Sequence, residues 1–301
     1  MENDLKSGKA ASYAGLIFVI FMWGIAPLVT LYFYNYFSPT IRVCLGAVTG
    51  AVALFLISIR KLRAITKKCV CLAVITGTFL AIANILQKIG LKYSTPTHYA
   101  FLENLSVIVV PVILFFLTKK KPSWLTVSAS IVCIVSSVIL TGVLGEKNAL
   151  YSGDILCALA GAFYGVNIAV TGTYAKEVYV PLYLMLQSTV EAVISLISAF
   201  VFDATGIEEI FFTFDVKVLA LHTAFVLIVC TLCWLIRTSA MKKVSPTVVA
   251  IMMPFSSVVT TVISVILGSD TLSVSLIVGV VLGLAAVIMS CFGDRQKPKK
   301  I

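Results

Sequence analysis

Ten apolar runs, each about as long as a bilayer is thick, dominate this 301-residue sequence. They fall at about 12–34, 39–59, 69–88, 95–117 and 123–144, then at about 152–173, 180–202, 218–240, 246–268 and 272–292. A hydrocarbon core about 30 Å thick is crossed by roughly 20 apolar residues in a helix. Spanning strands are about half as long and alternate in polarity, which these near-continuous runs do not. The chain is 60% hydrophobic and 12% charged, whereas soluble domains are about 45–50% apolar and roughly 25% charged. That balance excludes a soluble enzyme, a disordered chain, a disulfide-stapled secreted domain and a single-anchor protein. The first run is too long for a removable signal peptide and lacks an A-x-A-like cleavage site. The expected fold class is an all-α membrane protein with ten transmembrane helices.

The basic residues give the orientation. With a cytoplasmic N-terminus, the inner positives are Lys6, Lys9, Arg60, Lys61, Arg63, Lys67, Lys68 and Lys119–Lys121, then Lys176, Arg237, Lys242, Lys243, Arg295, Lys297, Lys299 and Lys300. Lys88, Lys92, Lys147 and Lys217 fall outside, and Arg42 lies within a span. A ratio of 18 to 4 satisfies the positive-inside bias that sets topology. Both termini are then cytoplasmic, with tails at 1–11 and 293–301. The net charge of +10 follows from topology and anionic headgroups, so no nucleic-acid partner is expected.

An internal repeat organises the spans. Thr95-Pro96-Thr97 with Ala100 recurs as Ser245-Pro246-Thr247 with Ala250, an offset of 150. The same offset pairs Ser106 with Ser256, Val112 with Val262 and Lys92 with Lys242. Nearer the N-terminus, Trp23-Gly24 falls on Tyr164-Gly165 and Pro39 on Pro181, at 141 and 142. The repeats cover 12–144 and 152–292. Five helices are an odd number, so the second copy enters from the opposite side. The loops agree: basic Arg60 to Lys68 corresponds to acidic Asp203, Glu208, Glu209 and Asp215, and Lys119–Lys121 to Ser269, Asp270 and Thr271. Two inverted five-helix repeats are a common plan for secondary transporters, with a site near the midplane.

These features, with Arg42 just after Pro39, resemble the EamA-like family of the drug/metabolite transporter superfamily over nearly the whole chain. The resemblance implies a gradient-driven or proton-coupled carrier, often an exporter of amino acids or related metabolites. It also implies a cavity lined mainly by the first, third, fourth, sixth, eighth and ninth helices.

Polar side chains inside spans are the candidate site, because each costs about 2.5–3.5 kcal/mol or more at the bilayer centre unless it faces an interior cavity. Glu103 lies in the fourth run, and a carboxylate in a cavity can trade a proton or hold a substrate amine. Asn104 and Tyr99 are its expected hydrogen-bonding neighbours. Glu191, with Gln187, Ser188 and Ser195 on one helical face, either serves the same role or seals a helix contact. Arg42 either receives a substrate carboxylate or snorkels to headgroups. Asn84, Gln87 and Asn167 line the path or glue helices, and Trp23, Tyr99 and Tyr164 form an aromatic wall or ordinary packing. His98 and His222 are expected at the interface. Pro27, Pro111 and Pro254 are candidate bending points.

The eight cysteines lie in apolar runs or at a cytoplasmic helix end and read as small apolar residues. H-E-x-x-H and the Walker A pattern are absent. No metal site, cofactor or enzyme activity is expected. The expected function is secondary transport of small metabolites by alternating access in the cell (inner) membrane. The partners are a small-molecule substrate and the bilayer, with a homodimer left open. The rivals are a membrane-embedded sensor and a lipid-modifying enzyme, neither of which transports. The charge reading predicts that alkaline phosphatase fused after Lys147 is active, and that the same enzyme fused after Lys61 or Ile301 is inactive.

Overall fold

The computed structural model describes residues 2–119, 121–140, 151–268 and 274–295. Lys120, Lys147, Ser269, Asp270, Thr271, Lys297, Lys299 and Lys300 lie outside the described residues, as do the side chains of Lys6, Lys9, Cys291 and Arg295.

The described chain is helical, with no strand beyond a single antiparallel bridge between Phe37 and Phe212. The helices are α1 (Glu2–Phe33), α2 (Pro39–Ser58, continued by a 3-10 turn at Ile59–Ala64) and α3 (Lys67–Lys92). They continue as α4 (Pro96–Thr118), α5 (Trp124–Leu140), α6 (Ser152–Tyr174) and α7 (Val180–Thr205). The last three are α8 (Val216–Ala240), α9 (Pro246–Ile266) and α10 (Val274–Arg295). Among the described residues, α1–α4 and α6–α9 are eight helices long and apolar enough to cross a membrane. α5 and α10 contribute shorter apolar stretches, Trp124–Ser136 and Ile277–Ala286.

The repeated [ST]-P-T motif is a helix start. Thr95 Oγ1 accepts from the His98 N–H at 3.1 Å, and Ser245 Oγ from the Val248 N–H at 3.3 Å. Each satisfies a donor that the helix cannot. Pro96 and Pro246 then take the first helical position, where a missing N–H costs nothing.

Three helices depart from regular α-geometry. α4 tightens to a 3-10 turn at Glu103–Leu105. α9 breaks at Met253 and Pro254, the positions 150 further on. α8 carries a π-helical stretch at Val226–Leu232. Inside a bilayer, freed backbone groups must find protein partners, and they do. Ser257 Oγ on α9 donates to the Ala100 carbonyl at 2.7 Å and accepts from Asn104 Nδ2 at 3.2 Å, so one hydroxyl plugs the α4 turn. Ser130 Oγ on α5 lies 3.3 Å from the Val107 carbonyl, the acceptor that Pro111 leaves without its i→i−4 donor. Trp23 Nε1 donates to the Val229 carbonyl within the π stretch at 2.9 Å.

α2 packs on α7 and α5 on α10, while α1 packs on α9 and α8 as α6 does on α4 and α3. α2 and α7 run antiparallel. Just before and at the start of α2, Ser38 N–H donates to Phe211 O at 3.1 Å, and Thr40 bonds Glu208 beyond the end of α7. Just past the end of α2, Lys61 lies over the ring of Tyr179, which precedes α7. The carboxylate of Glu208 thereby caps the positive end of α2 from the other repeat.

Two glycines show how the repeats are matched. A Cβ on Gly24 would lie 2.5 Å from Val259 Cβ, and one on Gly165 2.6 Å from Val109 Cβ. Val259 and Val109 are 150 residues apart, so α1 meets α9 as α6 meets α4, backbone against side chain. Gly24→Val and Gly165→Val should each overpack this contact, at about 1–3 kcal/mol. Thermal unfolding of detergent-purified protein checks this, and unchanged melting in both variants would refute the contact.

Candidate functional site

The broken helices surround a cavity of about 150 Å³ lined by α1–α4 and α6–α9. α2 and α7 therefore line it as well as the six helices expected. They bring Arg42 from one side and Gln187, Ser188 and Glu191 from the other. Aromatic and hydroxyl clusters adjoin its lining on two sides. Beside the start of α2, Phe37 stacks on Phe212 at 5.3 Å and meets His222 edge-on. On the other side, the buried Tyr183 hydroxyl lies 2.7 Å from both Thr76 Oγ1 and Thr171 Oγ1.

Ten of the eleven candidates line this cavity: Trp23, Arg42, Asn84, Gln87, Tyr99, Glu103, Asn104, Tyr164, Gln187 and Glu191. Asn167 sits behind the wall, fully buried, donating to Thr76 O at 2.9 Å and accepting from Arg237 at 3.3 Å.

A hydrogen-bonded chain joins the two carboxylates. Gln87 Nε2 donates to Glu103 Oε2 at 2.7 Å, and Asn84 Nδ2 donates to Glu191 Oε1 at 2.6 Å. Asn84 and Gln87 lie one turn apart on α3. With each amide nitrogen turned to a carboxylate, the amide oxygens face Tyr164. Its hydroxyl stands 2.6 Å from Asn84 Oδ1 and 2.8 Å from Gln87 Oε1. A phenol has one proton, so the two oxygens share it. Lys88 Nζ adds donors to Gln87 Oε1 at 2.9 Å and Tyr99 OH at 2.6 Å.

The partners differ from those expected. Glu103 is bonded by Gln87; Asn104 instead crosses to Ser257, and Tyr99 to Lys88. Gln187 donates to Tyr183 at 3.2 Å, and Ser195 donates to the Glu191 backbone carbonyl at 2.7 Å, so neither contacts the Glu191 carboxylate. Arg42 does not snorkel. It is 5% exposed, with its guanidinium 5.8 Å from the Phe33 ring centre and 5.4 Å from that of Phe225. Both histidines are buried within the protein: His98 lies against Asp154 at 2.9 Å, and His222 is enclosed by Phe33 and Phe37.

Sequence reasoning missed two cations. Lys88, counted as an outer loop charge, lines the cavity because α3 continues one turn further, to Lys92. Arg237, counted as an inner loop charge, is 1% exposed, 3.8 Å above the Trp234 ring and 5.5 Å from that of Trp23. The repeat offset held the signal. It places Arg237 on Gln87 and Trp234 on Asn84, with Trp23 on Tyr164. The same three positions, each set drawing on both repeats, therefore build a hydrogen-bonded trio in one case and a stacked cation in the other.

With this geometry in place, the comparisons with known proteins become informative. The EamA-like transporter family model matches residues 11–142 and again 151–292. The chain belongs to the EamA-like transporter family. It is accordingly a multi-pass membrane protein of a family of transporters, within the drug/metabolite transporter superfamily. No curated protein matches it. A solved structure, described only as a crystal structure of protein, aligns with a TM-score of 0.70 at 18% identity, covering 94% of this chain and 98% of that one. That likeness concerns the fold.

Tyr164→Phe should leave Asn84 Oδ1 without its donor, at about 1–3 kcal/mol. The variant should melt a few degrees below the parent in detergent. An unchanged melting point would show that the shared proton carries no stability.

Proposed function

We propose that the chain is a secondary carrier of small metabolites, working by alternating access between two inverted five-helix halves in the cell membrane. The observation that carries this reading is the cavity itself. It lies between the repeats, takes four helices from each, and holds two carboxylates joined through Asn84, Tyr164 and Gln87. A midplane site at a repeat interface, formed by helices with broken backbone, is the arrangement such carriers use. The antiparallel packing of α2 on α7 supports the inversion, and the matched contacts of Gly24 and Gly165 support the two-fold. α5 and α10 complete the ten spans in this reading, with both termini cytoplasmic. Export of amino acids or related compounds is what the resemblance adds.

Glu103 is the coupling group. Its carboxylate lies at the α4 break, facing the cavity, where a change in its charge would alter both the hydrogen-bonded chain and the field on Lys88. Gln at this position keeps the shape and removes the charge.

Proteoliposomes loaded with a small-molecule extract of the host cells provide the test, with efflux followed by mass spectrometry under an imposed pH gradient. At least one metabolite should leave faster than from protein-free vesicles. Glu103→Gln should slow it roughly ten- to hundredfold, the range for losing a charged hydrogen-bonding group, and flatten its pH dependence. Unchanged rate and pH dependence would sink the coupling role. Binding without flux would indicate a sensor and overturn the carrier.

A further inference from the structure

The charges lining the cavity are not matched. Three cations, Arg42, Lys88 and Arg237, face two carboxylates, Glu103 and Glu191. Among the described residues, none of the five forms an ion pair with another. Each carboxylate takes a carboxamide N–H, and Lys88 donates to the neutral oxygens of Gln87 and Tyr99. The Arg237 guanidinium reaches only Asn167, at 3.3 Å, and Nε of both Arg42 and Arg237 has no hydrogen-bond partner. Both arginines are more than nine-tenths buried. A guanidinium held in a membrane interior with donors unused is costly unless an anion joins it, and its planar fork fits a carboxylate.

The aromatic lining argues against a cationic ligand. Of the five Trp, Tyr and Phe rings lining the cavity, four already hold one of the protein's own cations: Trp23 and Trp234 hold Arg237, Phe225 holds Arg42, and Tyr99 holds Lys88. The fifth, Tyr164, is engaged through its hydroxyl. Elsewhere the wall offers apolar side chains, among them Val43, Leu80, Ile168 and Val226, with the hydroxyls of Thr30, Ser188 and Thr231 between them. With all five groups ionised the lining carries one excess positive charge, which one carboxylate neutralises and a phosphate dianion would overshoot.

The geometry points to a small monocarboxylate with an apolar body as the substrate class, its acid group received by Arg42 and Arg237 in turn. Phe225, beneath Arg42, and Arg237 are twelve residues apart on α8, about 18 Å at roughly 1.5 Å per residue. The two arginines thus reach the cavity from different levels of α8, one beside Phe225 and one beside Trp234, as a carrier that passes its ligand along the cavity would need. This inference rests on reading the cavity as the transport site.

Three compounds on one carbon skeleton isolate the charge: 3-phenylpropionate, phenylalanine and phenethylamine. Binding to the full-length chain in detergent is read by thermal shift and by tryptophan fluorescence in a Trp124→Phe background. Trp124 is 81% exposed, so the remaining tryptophans, Trp23 and Trp234, both report on Arg237. The acid should bind saturably, the zwitterion at least about tenfold more weakly, and the amine not at all. Arg42→Gln and Arg237→Gln should each weaken the acid at least about tenfold, while Arg42→Lys, which keeps the charge and loses the planar fork, should bind the acid between Arg42→Gln and the parent. If Arg237→Gln does not fold, the Arg42 pair decides.

Tighter binding of the amine, equal binding of all three, no binding of the acid, or an acid affinity indifferent to the arginine variants would each overturn the proposal. Acid binding without flux would leave it standing and overturn the carrier. Flux of amines or zwitterions without acid binding would do the reverse.

Discussion

A backbone inside hydrocarbon keeps its hydrogen bonds or exchanges them for bonds from a neighbouring helix. In this chain the breaks within α4, α8 and α9 surround one cavity, and those of α4 and α8 are tied to the opposite half. Ser257 of the second repeat plugs the α4 turn of the first, and Trp23 of the first repeat bonds the π-helical carbonyl of the second. The cavity and the cross-repeat contacts are therefore one feature. Space opens where helices break, and at α4 and α8 the other half supplies partners for the freed groups.

The spans and the repeat were legible because both are written in hydrophobicity and spacing. Eight of the ten runs appear as long apolar helices, and the [ST]-P-T motif proved to be a capped start in both halves. The in-membrane polar residues were legible for a similar reason, since their cost demands an interior place. What could not be read was the partner of each. Glu103 meets Gln87 sixteen residues away, and Glu191 meets Asn84 across 107 residues. Adjacency in sequence suggested Asn104 and Tyr99 instead. Lys88 and Arg237 were misplaced because a cation near the end of an apolar run looks like a loop charge. Whether it faces headgroups or a cavity depends on which face the helix turns inward.

The acidic loop shows the same gap between pattern and use. In the sequence, Asp203, Glu208 and Asp215 were marks of sidedness. In the fold each accepts backbone donors: Asp203 from Ile210, Glu208 from Thr40 and Asp215 from Lys217 and Val218. Charge asymmetry between the repeats and the capping of helix ends are served by the same residues. Likewise, the match between the two repeats holds at the level of backbone contact but not of chemistry. Tyr164, Asn84 and Gln87 occupy the places that Trp23, Trp234 and Arg237 take at the matching positions of the opposite repeat.

The Tyr164 hydroxyl sits between two amide oxygens with a single hydrogen to give. When it favours Gln87, the arm leading to Glu103 is held more firmly and the arm leading to Glu191 is released; when it favours Asn84, the reverse holds. Whatever one arm's claim on that hydrogen does to the other, the other does back to the same extent, since coupling between sites is reciprocal. The two acids thus influence each other without touching, and they do so in opposition.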